Sequence, residues 1–192
     1  MDRRLLFATA GGLAFGMASK LLASPDHAPS AHPYFPDTVL YDQDGKPRRF
    51  YSDLLEGKVV VINMMYAVCT AICPDNTARL REVQTALMER SGRDVFIYSI
   101  TLRPEVDSPA VLAAYARQFE VGKGWSFLTG SPKDIDLVRR KLGFYDTDPV
   151  ADADIRNHTG VLRIGNVKLD RWMMMPNQSR ASLVVRAIDN IC

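Results

Sequence analysis

Apolar and polar positions along this chain fall into blocks whose period changes, and the changes mark its elements. Residues 58–66, Lys-Val-Val-Val-Ile-Asn-Met-Met-Tyr, form a β-branched apolar run suited to a strand covered on both faces, with Met64 and Met65 in the core. Residues 94–101 and 125–129 repeat that pattern. Behind Pro74 the period lengthens: Leu80, Val83, Leu87 and Met88 recur at helical spacing. Ser108-Pro109 and Ser131-Pro132 each set a capping hydroxyl before a first-turn proline, predicting helices that run through Phe119 and to near Gly143. Residues 159–165 and 171–175 read as two more strands, and residues 179–191 as a closing helix. Near the start, residues 38–41 and 48–51 flank Asp44-Gly45 as a hairpin, followed by a short helical turn closed by Gly57. Strands alternating with helices predict an α/β fold with helices on both faces of one sheet. The early hairpin and the late β-β-α unit make that sheet mixed.

The 192 residues, 47% of them apolar, suit one domain with a short extension, residues 37–192 being the folded part. Residues 1–23 start with Asp2-Arg3-Arg4 and continue as a Gly/Ala-rich apolar run. They read as an export signal of the twin-arginine kind, with an uncleaved membrane anchor as the alternative. Both readings place the domain outside the cytoplasm. Residues 24–36 are Pro-rich and read as a linker, on which His27 and His32 are solvated. Cutting after Ala23 removes Arg3, Arg4, Lys20 and Asp2, which takes the 24 basic residues to 21 and the 22 acidic ones to 21. A balanced domain argues against a nucleic-acid or anionic-membrane partner.

Chemistry concentrates where the first buried strand gives way to its helix. Cys69 and Cys73 are separated by Thr70-Ala71-Ile72, with Cys73 at or beside the helix N-cap and Cys69 about one turn earlier. That separation brings the two sulfurs within reach, as a disulfide or as two ligands of one metal, and local geometry does not choose between these. The helix N-terminus, with its unpaired amides and partial positive charge, favours the thiolate, which is both nucleophile and metal ligand. Cys192, the last residue, is an unassigned terminal thiol. Residues 145–154 carry four aspartates and no base; they read as a solvated loop, or more sharply as an acidic rim that docks a partner or attracts cations. The loop leads into His158, and Met173, Met174 and Met175 follow at alternating faces of a strand, where at least one fills core and a thioether donor to a soft metal is the sharper alternative.

Together these marks resemble the Sco/SenC family of thioredoxin-fold proteins over nearly all of residues 37–191. The marks are Cys-x-x-x-Cys-Pro between buried strand and helix, the single histidine of Asn157-His158-Thr159-Gly160, and Pro104-x-x-Asp107-Ser108-Pro109 after the second strand. The resemblance implies a thioredoxin-like fold with an N-terminal β-hairpin extension. It also implies copper, Cu(I) or Cu(II), bound by Cys69, Cys73 and His158 in a periplasmic metallochaperone. That protein would serve the copper-bearing subunit of cytochrome c oxidase or another cuproprotein. The donor set agrees, because two thiolates and an imidazole form a soft shell suited to Cu(I). The chain departs from the family at Thr70 and Ala71, where proline and often an acid stand, and at Arg103, where an acid is common.

Cysteines that bind metal in an oxidising compartment also imply an external thiol reductant. The alternative is a thiol-disulfide oxidoreductase that reduces a partner's copper-site cysteines, Cys69 and Cys73 being the attacking and resolving thiols. Three residues between the cysteines, and His158 where such reductases carry a cis-proline, favour metal. A peroxidase of the peroxiredoxin type needs threonine three residues before its cysteine, where this chain has Tyr66.

Overall fold

The computed structural model describes residues 32–69, 72–158 and 160–192. The signal or anchor at 1–23, His27 and the first part of the linker lie outside the described residues. A seven-stranded sheet in the order β2-β1-β5-β4-β3-β6-β7 carries the fold. β3 (Val59–Met65), β4 (Val95–Thr101) and β5 (Trp125–Thr129) run parallel at its centre. The hairpin of β1 (Val39–Asp42) and β2 (Pro47–Arg49) joins β5 antiparallel. β6 (Val161–Asn166) and β7 (Arg171–Pro176) extend the other side antiparallel. The continuous apolar run of β3 is explained by its place, since residues 60–65 are all buried between two layers.

α1 (Cys73–Leu87), α2 (Pro109–Gln118) and α5 (Ala181–Ile191) cover one face of the sheet, where Leu80, Leu112 and Val184 meet Val61 and Ile97. α3 (Pro132–Lys141) and a π-helical turn at Phe50–Leu55 cover the other, where Val138 and Leu55 meet Val60 and Ile62. The capping hydroxyls act as their spacing predicts: Ser108 accepts from the Val111 amide and Ser131 from the Asp134 amide. At the entry to β5, a Cβ on Gly124 would stand 2.1 Å from the Gly92 nitrogen, so only glycine allows that approach.

Two readings change. Residues 32–36 are not loose linker: Phe35 is buried, and His32 stacks 4.5 Å from Tyr51 while accepting the Tyr34 and Phe35 amides on Nδ1. The acidic loop is not a solvated rim throughout: α4 (Pro149–Ala153) interrupts it and Asp152 is buried against two arginines. The β7 methionines alternate as expected, Met173 and Met175 packing on the core while Met174 is exposed.

Candidate metal centre

β3 ends at Met65, whose carbonyl accepts the Leu102 amide and so carries the pairing with β4 one residue further. The chain then turns, the Cys69 amide donating to the Tyr66 carbonyl at 3.2 Å. Asp107 pins this turn: its carboxylate accepts the Ala67 amide at 3.0 Å and the Thr101 hydroxyl at 2.5 Å. Asp107 is fully buried, and its second oxygen has no hydrogen-bond partner. Sequence reasoning noted its motif but gave it no role.

Cys73 opens α1, and its amide donates to the Cys69 sulfur at 3.4 Å. Both cysteines are buried thiols with no disulfide between them. The first-turn amide is therefore directed at the Cys69 sulfur and not at that of Cys73. Burial, reinforced by the bond to Cys69, pushes the Cys73 thiol up to about 12. At that sulfur desolvation outweighs the opposing backbone hydrogen bond at Tyr66, and a cation bound to it would reverse the balance. Burial and a bond to Cys69 likewise push the Tyr66 hydroxyl up to about 12. Behind Cys73 the Thr77 hydroxyl donates to the Cys73 carbonyl and meets the Tyr115 hydroxyl, each at 2.9 Å. Thr70 and Ala71 lie outside the described residues.

His158 reaches the same end of the sheet by a different route. β6 runs antiparallel to β3, with Leu162 opposite Asn63, so the segment leading into β6 arrives beside the exit of β3. There a 3-10 turn, Ile155–His158, places Arg156 where its charge acts on the Tyr66 hydroxyl. The histidine itself is buried and engaged elsewhere. Its Nε2 lies 2.9 Å from the Asp152 carbonyl oxygen and 3.2 Å from Arg139 Nη1. Arg139 binds both Asp152 carboxylate oxygens, at 2.6 and 3.0 Å, and Arg140 adds a third contact at 2.8 Å. The Arg139 guanidinium holds the Asp152 carboxyl far below the usual carboxylate range. The fold thus brings Cys69 and Cys73 together and parks His158 in an ionic cluster. Among the described residues no three histidine, cysteine or acidic side chains form a ready metal shell. The sequence signal for the cluster was present in Arg139-Arg140 and in the acidic loop, but their pairing spans two helices. Cys192 is exposed and remote from the pair in sequence.

Residues 28–191 match the family model described as SCO1/SenC. A SCO1 protein homolog of Bacillus subtilis is 34% identical over 90 residues, covering 46% of this chain and 45% of that protein. The mitochondrial protein SCO1 homolog 1 of Arabidopsis thaliana is 31% identical over 126 residues, 60% of this chain and 36% of that one. The matched stretch thus spans less than half of either relative. Among solved structures, a SCO1/SenC family lipoprotein from Bacillus anthracis superposes with a TM-score of 0.66 at 24% identity, covering 80% of this chain and 92% of that one. ScoI of Bradyrhizobium japonicum with copper bound gives 0.64 at 22%, covering 82% and 98%. These likenesses establish the thioredoxin-like fold.

Proposed function

The chain belongs to the SCO1/SenC family, and from that premise we propose that it is a copper metallochaperone, carrying the ion as cargo for the copper site of cytochrome c oxidase or a related cuproprotein. The observation that carries this reading is the cysteine mouth: two reduced sulfurs joined through one amide contact at 3.4 Å, at the exit of a buried strand. Two thiolates give Cu(I) the soft donors it prefers, and His158 supplies a third once it leaves Arg139 and Asp152. An incomplete shell suits delivery, since cargo must be released. The relative named a putative copper-binding protein, of Stutzerimonas stutzeri, supports the same ligand class. Export to the periplasm fits a family that includes a lipoprotein. Among the described residues no helix is long and apolar enough to cross a membrane; on this reading the export signal or tether is the segment 1–23. Loading in that compartment requires an external thiol reductant.

Copper stoichiometry on the reduced chain, with His158→Ala treated identically, tests this. One tightly held Cu(I) per chain, weakened at least about tenfold in the variant, is the expected result. Equal weak binding by both, with ready exchange between the cysteine pair and a partner disulfide, overturns it. One observation favours that second reading, a thiol-disulfide oxidoreductase: the thiols are paired while the histidine is held in its own cluster.

A further inference from the structure

On the sheet face opposite α1 lies a pocket of about 400 Å³, walled by His32, Tyr34, Phe35, Arg163, Asp170 and Trp172. Its walls are fixed by packing. Trp172 lies flat over Gly165, where a Cβ would stand 2.2 Å from the indole. Its Nε1–H donates to Asp170 at 3.1 Å, and Phe35 sits 5.1 Å from it between ring centroids.

Arg163 is the unexplained group. On β6 it alternates with the buried Leu162 and Ile164, so it faces away from the cysteine layer and into this pocket. Its guanidinium lies 5.3 Å over the Trp172 ring, and its Nε is buried with no hydrogen-bond partner. Among the described residues no acid forms an ion pair with it; the nearby Asp170 is bonded to Trp172 instead. A half-buried guanidinium with an aromatic face but no carboxylate partner is costly to the folded state and ready to accept an anion. Lys141 adds a positive charge over the Tyr34 ring at 4.7 Å, while Asp170 adds a negative one. That balance suits one negative charge; a phosphate, with two, calls for more cations. The aromatic walls suit a flat apolar body, and the volume lies in the range of small-molecule sites.

We propose that this pocket binds a small monocarboxylate with a flat apolar body, Arg163 holding the carboxylate and Trp172, Tyr34 and Phe35 the body. The site is independent of the cysteines, which lie across the sheet.

The test titrates 3-phenylpropionate into the full chain and follows the two indole N–H signals by nuclear magnetic resonance, with 3-phenylpropionamide and phenyl phosphate run alongside. The Trp172 signal shifts saturably and that of buried Trp125 does not, the acid binding at least about tenfold tighter than the amide. Arg163→Met abolishes that preference and, with no ligand, melts at the same or a higher temperature, because an unpaired charge has been removed. Equal binding of acid and amide, no saturable shift by about 10 mM, or tighter binding of the phosphate overturns the proposal. So does an Arg163→Met variant that binds the acid as the parent does, or one that melts lower, which would show the guanidinium already partnered.

Discussion

The cysteine mouth and the His158 cluster stand at one end of the same sheet and are built from opposite materials. The mouth is apolar, and burial drives the Cys73 thiol towards its neutral form. The cluster is ionic, and Arg139 holds Asp152 charged while both surround His158. Two cysteines separated by one helical turn are gathered by local geometry alone. A histidine brought in by sheet topology needs its own support, and here that support is an ion network. On the proposed function, cargo enters an apolar, thiol-lined mouth and the histidine is the part that moves.

The largest effect that would break this comparison is at Cys69. Cys69→Ser removes one of the pre-gathered sulfurs and should weaken Cu(I) binding about a thousandfold in a chelator competition; unchanged affinity would place the metal elsewhere. Next is the cluster. Asp152→Ala leaves the buried Arg139 with only the half-exposed Asp136 as a carboxylate partner, and urea unfolding should report a loss of about 2 kcal/mol. A loss below about 1 kcal/mol would mean the network does not hold the segment. The mouth can be sharpened by alkylation: with its thiol pushed up to about 12, Cys73 should react with iodoacetamide roughly a hundredfold more slowly than exposed Cys192 at neutral pH. Comparable rates, read by peptide mass spectrometry, would show an open mouth.

A pH series separates the regions further. The folded-state value of Asp152 is depressed, so its contribution is present above the unfolded value of about 3.9 and is lost as pH falls through the folded value. The parent should lose stability on acidification below about pH 4, and Asp152→Asn should show a shallower slope. The smallest effect is expected from Tyr66→Phe, which removes the hydroxyl bonded to Cys69 at a cost of about 1 kcal/mol or less.

Much of this was legible in the chain. The β-branched run of β3, the Ser-Pro starts of α2 and α3, and the cysteine pair before Pro74 are local patterns, and local patterns survive folding when tertiary contacts agree with them. Asp107 was harder to assign, since a buried carboxylate that pins a turn forty residues earlier leaves no local mark. Phe35 reads as linker because Pro33 and Pro36 surround it, yet it is buried against Phe50 and Trp172. The acidic loop was misjudged for the same reason: composition counts its charges but does not show that Arg139 and Arg140 lie beside Asp152.

The sequence by itself determined the order of strands and helices, the pairing of Cys69 with Cys73, and the family those marks resemble, because each depends on residues within a turn or on a hydrophobic period. Only the tertiary structure decided which sulfur receives the helix amide, that burial raises the Cys73 thiol, that His158 rests among ions, and that Arg163 faces an aromatic pocket. Those outcomes depend on desolvation and on which charges meet across elements distant in the chain, and neither is written in local sequence.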